Sequence, residues 1–451
     1  MTLAVTLPRI LSKVKAVGLS QMICAGEADM FKEGLMAVSR YMRLAAASLI
    51  MICTGIIYMW SVFNAGVSAA LTGMTPSEVS DFAFTSSVMI TLFSFGALCG
   101  GKLQDKFGPK IVIVIGSVCF GLGVFLTSFT IDMGPVPTWL TFGVLGGFAV
   151  GCTYNSVIPC IQKWFPDKIN VCMGVIVCCF GLASVVFTPL AQMLMDSMGV
   201  RVTFQILGVA FAVICLAASV LIKNPEQGWL PEGYEPAKSK SNISQEQVGF
   251  SKAIKTPQIW IIFLTYWFVT AGFFAINPIL RQLGMARGLD VDLANGIVMA
   301  CGLGLAVGRF FVPFVVNLIN SRHKTALGLS VLVLAVSVAL VFSPGVLFMI
   351  LVFCLAAFSG APGAIYPAWT AENFGLANNG ANYGFVMCGI GLSSLVSFRF
   401  ANQVLAPMFG GLTESGVAVN TEIYFITSAV FAAVALVLLL LFKPFGAKSK
   451  K

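Results

Sequence analysis

Charge is scarce in this chain. Of its 451 residues, 10% are charged and 58% hydrophobic, whereas soluble domains carry about 25% charged residues. A length that could hold two or three soluble domains therefore lacks the polar surface to cover them. There is one histidine, His323, and the 13 cysteines are scattered through apolar runs with no CxxC. Metal binding and a disulfide framework are excluded, no cofactor is implied, and the cysteines read as small packing residues. The net charge of +9 makes no basic face, because the cations sit between apolar runs, so nucleic acid is not a partner. Residues 1–40 hold no clean signal-peptide core, since Arg9, Lys13, Lys15, Glu27, Asp29 and Lys32 interrupt them. They read as an extension, an amphipathic helix lying on a membrane surface.

What the chain does have is apolar runs long enough to cross a bilayer, whose core needs about 20 residues of helix. Twelve lie near 44–66, 82–101, 111–130, 137–160, 170–193, 202–222, 257–280, 293–318, 325–343, 345–369, 379–403 and 421–442. The fold class is all-α: a polytopic membrane protein of twelve transmembrane helices in two six-helix, pseudo-symmetric halves. With a cytoplasmic N-terminus, 22 of the 27 Lys and Arg fall on the cytoplasmic side and three, Arg201, Arg281 and Arg287, outside. That bias is the one membranes impose, and it puts both termini in the cytoplasm of a cell bounded by this (inner) membrane. The expected organisation is an extension over 1–43, a half over 44–223, a polar central loop over 224–256, a second half over 257–442 and a basic tail over 443–451. A monomer in the lipid bilayer is expected.

The halves repeat. GGKLQDKFGPK carries Gly101, Asp105, Gly108 and Lys110; PFVVNLINSRHK carries Pro313, Asn317, Asn320 and Arg322 at the same spacing, 212 residues on. A parallel repeat of this kind encloses a central cavity. Glycines there permit a tight turn and close helix approach. Gly101, Asp105, Lys106, Gly108 and Lys110 therefore read as a conformational latch, the second copy being weaker for want of its acid at Asn317. Gly143, Gly147 and Gly151 on span 4, and Gly304 and Gly308 on span 8, mark close helix packing.

One cation lies deep. Arg309 is 17 residues after Asp292 and 13 before Arg322, at mid-span, where a charge costs at least ~2.5–3.5 kcal/mol. Arginine cannot deprotonate to escape. All 18 acidic residues fall in tails, loops or span ends, so no carboxylate is at hand. The missing partner reads as an anionic ligand, whose carboxylate a guanidinium grips with two hydrogen bonds; packing against helix carbonyls is the plainer alternative. Tyr58, Trp60, Asn64, Tyr154, Asn155, Tyr366 and Tyr383 are polar or amphipathic groups within spans that would line a substrate cavity around it, or else pack or anchor at the interface. Arg399, near the outer end of span 11, reads as an interfacial residue or a gate.

At these residues the sequence resembles the oxalate/formate antiporter family of the major facilitator superfamily. The resembling stretches are GIIYMWSVF (55–63), GGKLQDKFGPK (100–110), YNSVIPCIQKWFPDK (154–168), VGRFF (307–311) and YPAWTAENFGLANNGANYG (366–384). The resemblance implies twelve helices, alternating access, a small organic anion as substrate and a carboxylate-binding arginine at Arg309. The oxalate member's span 11 lysine is replaced here by Ile390, and Arg399, nine residues on, is half a helical turn out of phase. Two cations suit a dianion and one suits a monoanion, so a monocarboxylate such as formate, lactate or pyruvate is expected, with an oxalate-type exchanger or a carrier of larger aromatic or sulfonated acids as alternatives. In a related proton-coupled family an aspartate precedes such an arginine by four; here that position is Leu305, so exchange or facilitated movement is expected. A carrier of cations would want a central acid. A membrane sensor would want longer soluble tails. An enzyme would want a catalytic constellation the spans do not hold.

Overall fold

The apolar runs become helices because a backbone in lipid must satisfy its own hydrogen bonds. The computed structural model describes residues 25–71, 73–226, 229–231, 247–375 and 378–444. The extension expected over 1–43 is thus mostly outside the described residues, as are 232–246 of the central loop and 445–451 of the tail. Residues 1–45 form a unit of their own, of which 25–45 are helical; residues 46–451 form the other. Among the described residues the only β feature is an isolated bridge between Leu412 and Ala418.

Among the described residues, eleven helical stretches are long and apolar enough to cross a membrane. One of them, Val171–Ser219, is two helices joined at Gly199, whose φ of 79° and ψ of 164° are not helical. Counted so, there are twelve spans, as the apolar runs predict. Spans 1 to 4 are Ala25–Thr54 continued by Trp60–Ala70, Pro76–Ala83 with Thr85–Phe107, Pro109–Thr130, and Pro135–Thr138 through Trp139–Gly146 to Gly147–Trp164. Spans 5 and 6 occupy 169–198 and 200–219. Spans 7 to 9 are Pro257–Ile276 with Leu280–Ala286, Val291–Ile319 and Arg322–Val341. Spans 10 to 12 are Gly345–Gly360 with Pro362–Phe374, Asn379–Arg399 continued to Met408, and Glu422–Leu441.

The repeat is written in the backbone. Gly108 and Asn320, 212 residues apart, both close a helix at positive φ, 79° and 53°; Asn320 is the one non-glycine to do so among the described residues. Gly134 pairs with Gly345, Gly199 with Gly411, and Gly73 with Gly288 in the same way, 211 to 215 residues apart. The turns at Gly108 and Asn320 lie at one end of the bundle, here the near end; the other three pairs lie at the far end.

Spans 1 and 7 depart from the continuous helices expected. Span 1 tightens into a 3-10 turn at Gly55–Tyr58 before resuming at Trp60. Span 7 does the same at Asn277–Ile279 and then runs on to Ala286, so Arg281 is helical rather than in a loop. Pro278 cannot donate to the helix ladder, which accounts for the second break. At the first, Gly55 lies against the Phe180 carbonyl, where any Cβ would collide.

Between the halves, span 5 packs on span 8 and span 2 on span 11. The first seam is made of small residues: a Cβ on Gly181 would come within 2.8 Å of the Ala306 nitrogen. The second is hydroxylic, with the Thr91 hydroxyl donating to the Gly391 carbonyl at 2.9 Å. The glycine stripes seen in the sequence do what close packing requires: Gly147 and Gly151 press on span 2, Gly304 and Gly308 on span 10.

Candidate functional site

Arg309 is carried by span 8 to mid-depth, where spans 1, 4, 5, 7, 10 and 11 converge on it. Its Nη2 donates to the Tyr58 hydroxyl at 2.8 Å. Its guanidinium carbon lies 5.5 Å from the Tyr58 ring centre and 5.9 Å from that of Phe180, within cation–π range. Nε and Nη1 are buried and have no hydrogen-bond partner. Among the described residues no carboxylate reaches it: the ion pairs are Arg201–Asp132, Arg322–Glu372 and Arg399–Asp81. A buried guanidinium with two unspent N–H groups is an open donor site for a carboxylate.

Around it stand tyrosines. Tyr154 and Tyr266 are close enough to interact with its charge. Tyr154 meets Phe180 and Phe93 edge-on at 5.1 and 5.2 Å. Tyr266 and Tyr383 lie close enough to interact with each other. Gly363 of span 10 leaves room beside them: a Cβ there would sit 3.7 Å from Arg309 Nε and 3.5 Å from the Tyr266 hydroxyl. The whole chain has eight tyrosines, and Tyr58, Tyr154, Tyr266, Tyr366 and Tyr383 gather at or just behind this point. Hydroxyls and one fixed cation, walled by phenyl rings, can hold a small anion.

Not all expected lining residues are in this group. Trp60 is fully buried, donates from Nε1 to the Phe82 carbonyl at 2.7 Å, and packs among Phe63, Phe142 and Phe204 in the core of the first half. Asn155 donates to the Ala97 carbonyl at 2.7 Å and fills the space over Gly101, joining span 4 to span 2. Asn64 is fully buried with neither amide atom bonded. Tyr366 is one layer back: its hydroxyl donates to Thr265 at 3.1 Å and its ring stacks on Tyr266 at 4.4 Å, so it holds Tyr266 in place. Tyr266, Phe180 and Gly363 escaped the sequence reading. Tyrosine's rarity was the available signal for the first.

Of the latch residues, Gly108 makes the turn at φ 79°, Lys106 lies beside the Phe107 ring, and Lys110 is exposed. The side chain of Asp105 lies outside the described residues. The second copy is not left loose by Asn317: Arg322 pairs with Glu372 of span 10. Arg399 is engaged at the far end, its guanidinium 4.0 Å from the Phe84 ring centre and its Nη2 3.5 Å from Asp81 Oδ1.

Comparison with known proteins identifies the superfamily and the fold. Residues 44–398 match the Major Facilitator Superfamily. The chain is 27% identical over 363 residues to the transporter YhjX of Escherichia coli K12, covering 79% of this chain and 86% of that one. It is 27% identical over 394 residues to the oxalate:formate antiporter of Oxalobacter formigenes, covering 85% and 86%. Monocarboxylate transporter 2 of Meriones unguiculatus is 25% identical over 255 residues, 56% of this chain and 48% of that one. The crystal structure of the transporter FucP in its outward conformation shares the fold, with a TM-score of 0.57 and 13% identity over 88% of this chain and 99% of that one.

Proposed function

The chain belongs to the Major Facilitator Superfamily, as an oxalate/formate-antiporter-like, multi-pass membrane carrier rather than an enzyme, and on that premise we propose that it moves small monocarboxylates. Formate, lactate and pyruvate are the candidate anions. The observation that carries this is Arg309: a mid-depth guanidinium with Nε and Nη1 unpaired, bonded only to a tyrosine hydroxyl. The anion binds there bidentately, Tyr58, Tyr154, Tyr266 and Tyr383 supply hydroxyls, and rocking of the halves along the 5–8 and 2–11 seams exposes it to each side in turn. One cation supports a monoanion over a dianion. Ile390 packs against the apolar core of the second half, and Arg399 is committed to Asp81, so neither gives Arg309 a second positive partner. The bias of Lys and Arg supports a near end in the cytoplasm, with both termini, and a far end outside the cytoplasmic membrane. The Gly101–Lys110 turn acts as the near-end latch.

The test is uptake by reconstituted vesicles of labelled formate, lactate, pyruvate and oxalate. Monocarboxylate uptake lost in Arg309→Ala is the expected result. Uptake unchanged by that substitution rejects the site, and oxalate outcompeting every monoanion rejects the assignment of charge.

A further inference from the structure

The side-chain hydrogen bonds joining the halves are unevenly placed. Arg309 to Tyr58 and Thr91 to Gly391 lie at mid-depth. Toward the far end, Asn277 donates to Ser86 at 3.2 Å, Gln282 to the Ser61 carbonyl at 3.3 Å, Asn402 to Ser80 at 3.0 Å, and both Gln403 and Arg399 donate to Asp81. These bonds hold the halves together at the far end.

One acid–arginine contact, and a second acid–arginine pair facing one cleft, bracket that closure. On the 2–11 edge, Arg399 meets Asp81, with Gln403 accepting from Nη1 at 2.9 Å and the rings of Phe84 and Trp139 4.0 and 5.4 Å from the guanidinium carbon. Trp139 in turn donates to the Asp81 carbonyl at 2.9 Å. On the opposite edge, Asp196 of span 5 and Arg281 of span 7 line one cleft of about 520 Å³, and Asp196 is the carboxylate whose charge reaches Arg281. Asp196 also accepts from Gln192 Nε2 at 2.7 Å, one turn back on its own helix. In both pairs the first half gives the acid and the second half the arginine. The π-helical segments Trp139–Gly146 and Phe400–Leu405 both begin at this gate, the first with Trp139 and the second directly after Arg399. Such segments re-aim side chains and recur at working sites.

We propose that Asp81–Arg399 and Asp196–Arg281 are positioning pairs for transport: two electrostatic locks, one on each edge of the seam, that hold the far-end gate shut while Arg309 faces the near end. The reading rests on the protein being an alternating-access carrier. Asp81 and Arg399 side chains are 29% and 32% exposed, so each lock is weak enough to open every cycle. A partly solvated pair contributes ~0.2–1 kcal/mol, which converts to an opening equilibrium shifted up to about 5-fold when one lock is lost. The locks share no partner, so their effects multiply.

Ser61 is the natural reporter, being fully buried under the Gln282 contact. In vesicles of known orientation, a Ser61→Cys protein is treated from the far side with an impermeant maleimide, and labelling of that one peptide is read by mass spectrometry. Asp81→Asn and Asp196→Asn should each speed labelling by about 2- to 5-fold, the double variant by the product, and Asp81→Arg with Arg399→Asp should return it toward the parent rate. Labelling unchanged or slowed by Asp81→Asn, or a charge exchange that restores nothing, overturns the proposal. Should the aspartate variants fail to fold, the parent reporter suffices: high ionic strength must speed labelling by screening the pairs, and a rate indifferent to salt overturns the locks. The reporter needs no substrate. A flat reporter beside uptake abolished by Arg309→Ala removes the locks and leaves the carrier; a responsive reporter in a protein that moves no carboxylate keeps the locks and removes the substrate.

Discussion

Replacing Arg309 by glutamine separates two roles that an arginine in a membrane can play. As a packing residue, it would be satisfied by the protein, and losing it would cost stability. As a binding group, it is held at little or no gain in the empty protein. Its burial at mid-depth costs ~2.5–3.5 kcal/mol. The single hydrogen bond to Tyr58 returns about 1.5–3 kcal/mol as a bond to a charged group, while Nε and Nη1 return nothing. The Tyr58 and Phe180 rings add ~0.5–1 kcal/mol each, so the balance is near zero and Arg309→Gln should unfold at about the temperature of the parent. Binding should suffer instead: two charge-assisted hydrogen bonds to a carboxylate, at about 1.5–3 kcal/mol each, mean at least a ~100-fold loss of affinity. Thermal unfolding in detergent, with and without a monocarboxylate, measures both. A variant that melts well below the parent and still binds the anion would refute the reasoning, because it would place Arg309 in the scaffold.

Tyr58→Phe removes one hydroxyl from the guanidinium and keeps the ring beneath it; affinity for a monocarboxylate should fall by about 5-fold, the worth of roughly one hydrogen bond, as read by a competition curve. Ile390→Lys adds a second cation on span 11, so the ratio of oxalate to formate uptake should rise; a ratio that stays put would show that position 390 does not face the substrate. Gly308→Ala drives a Cβ into the Ala357 carbonyl, whereas a Cβ at Gly328 meets nothing within 4 Å; folded yield should drop for the first and hold for Gly328→Ala, measured by monodisperse protein after extraction.

Much of this was legible in the sequence, for identifiable reasons. Twelve spans follow from apolar length, and Arg309 from the cost of a charge that cannot be neutralised. The breaks at Gly55–Tyr58 and Asn277–Ile279 did not show, since the first depends on how closely span 1 approaches the Phe180 carbonyl. Aromatic residues were the harder case. In a membrane helix, a ring facing a cavity and one facing the core look alike in composition. Tyr58 and Trp60 are two residues apart, which on a helix turns them about 200° from each other; one meets Arg309 and the other the Phe63–Phe142–Phe204 cluster. Asn155 follows Tyr154 by a single residue and is turned to span 2. Tyr266 was hidden in IFLTYWFV, a run that reads as lipid-embedded throughout, yet it stands beside Arg309 with its ring stacked on Tyr366. Arg399 was visible as a charge, but its partner Asp81, 318 residues away, could come only from the packing of span 11 on span 2.

Equilibrium binding of a labelled monocarboxylate to the purified protein, with Arg309→Gln beside the parent, tests the central claim most directly. The account predicts saturable binding of one anion per chain in the parent, displaced by other monocarboxylates, and none in the variant. Equal binding by both would contradict it.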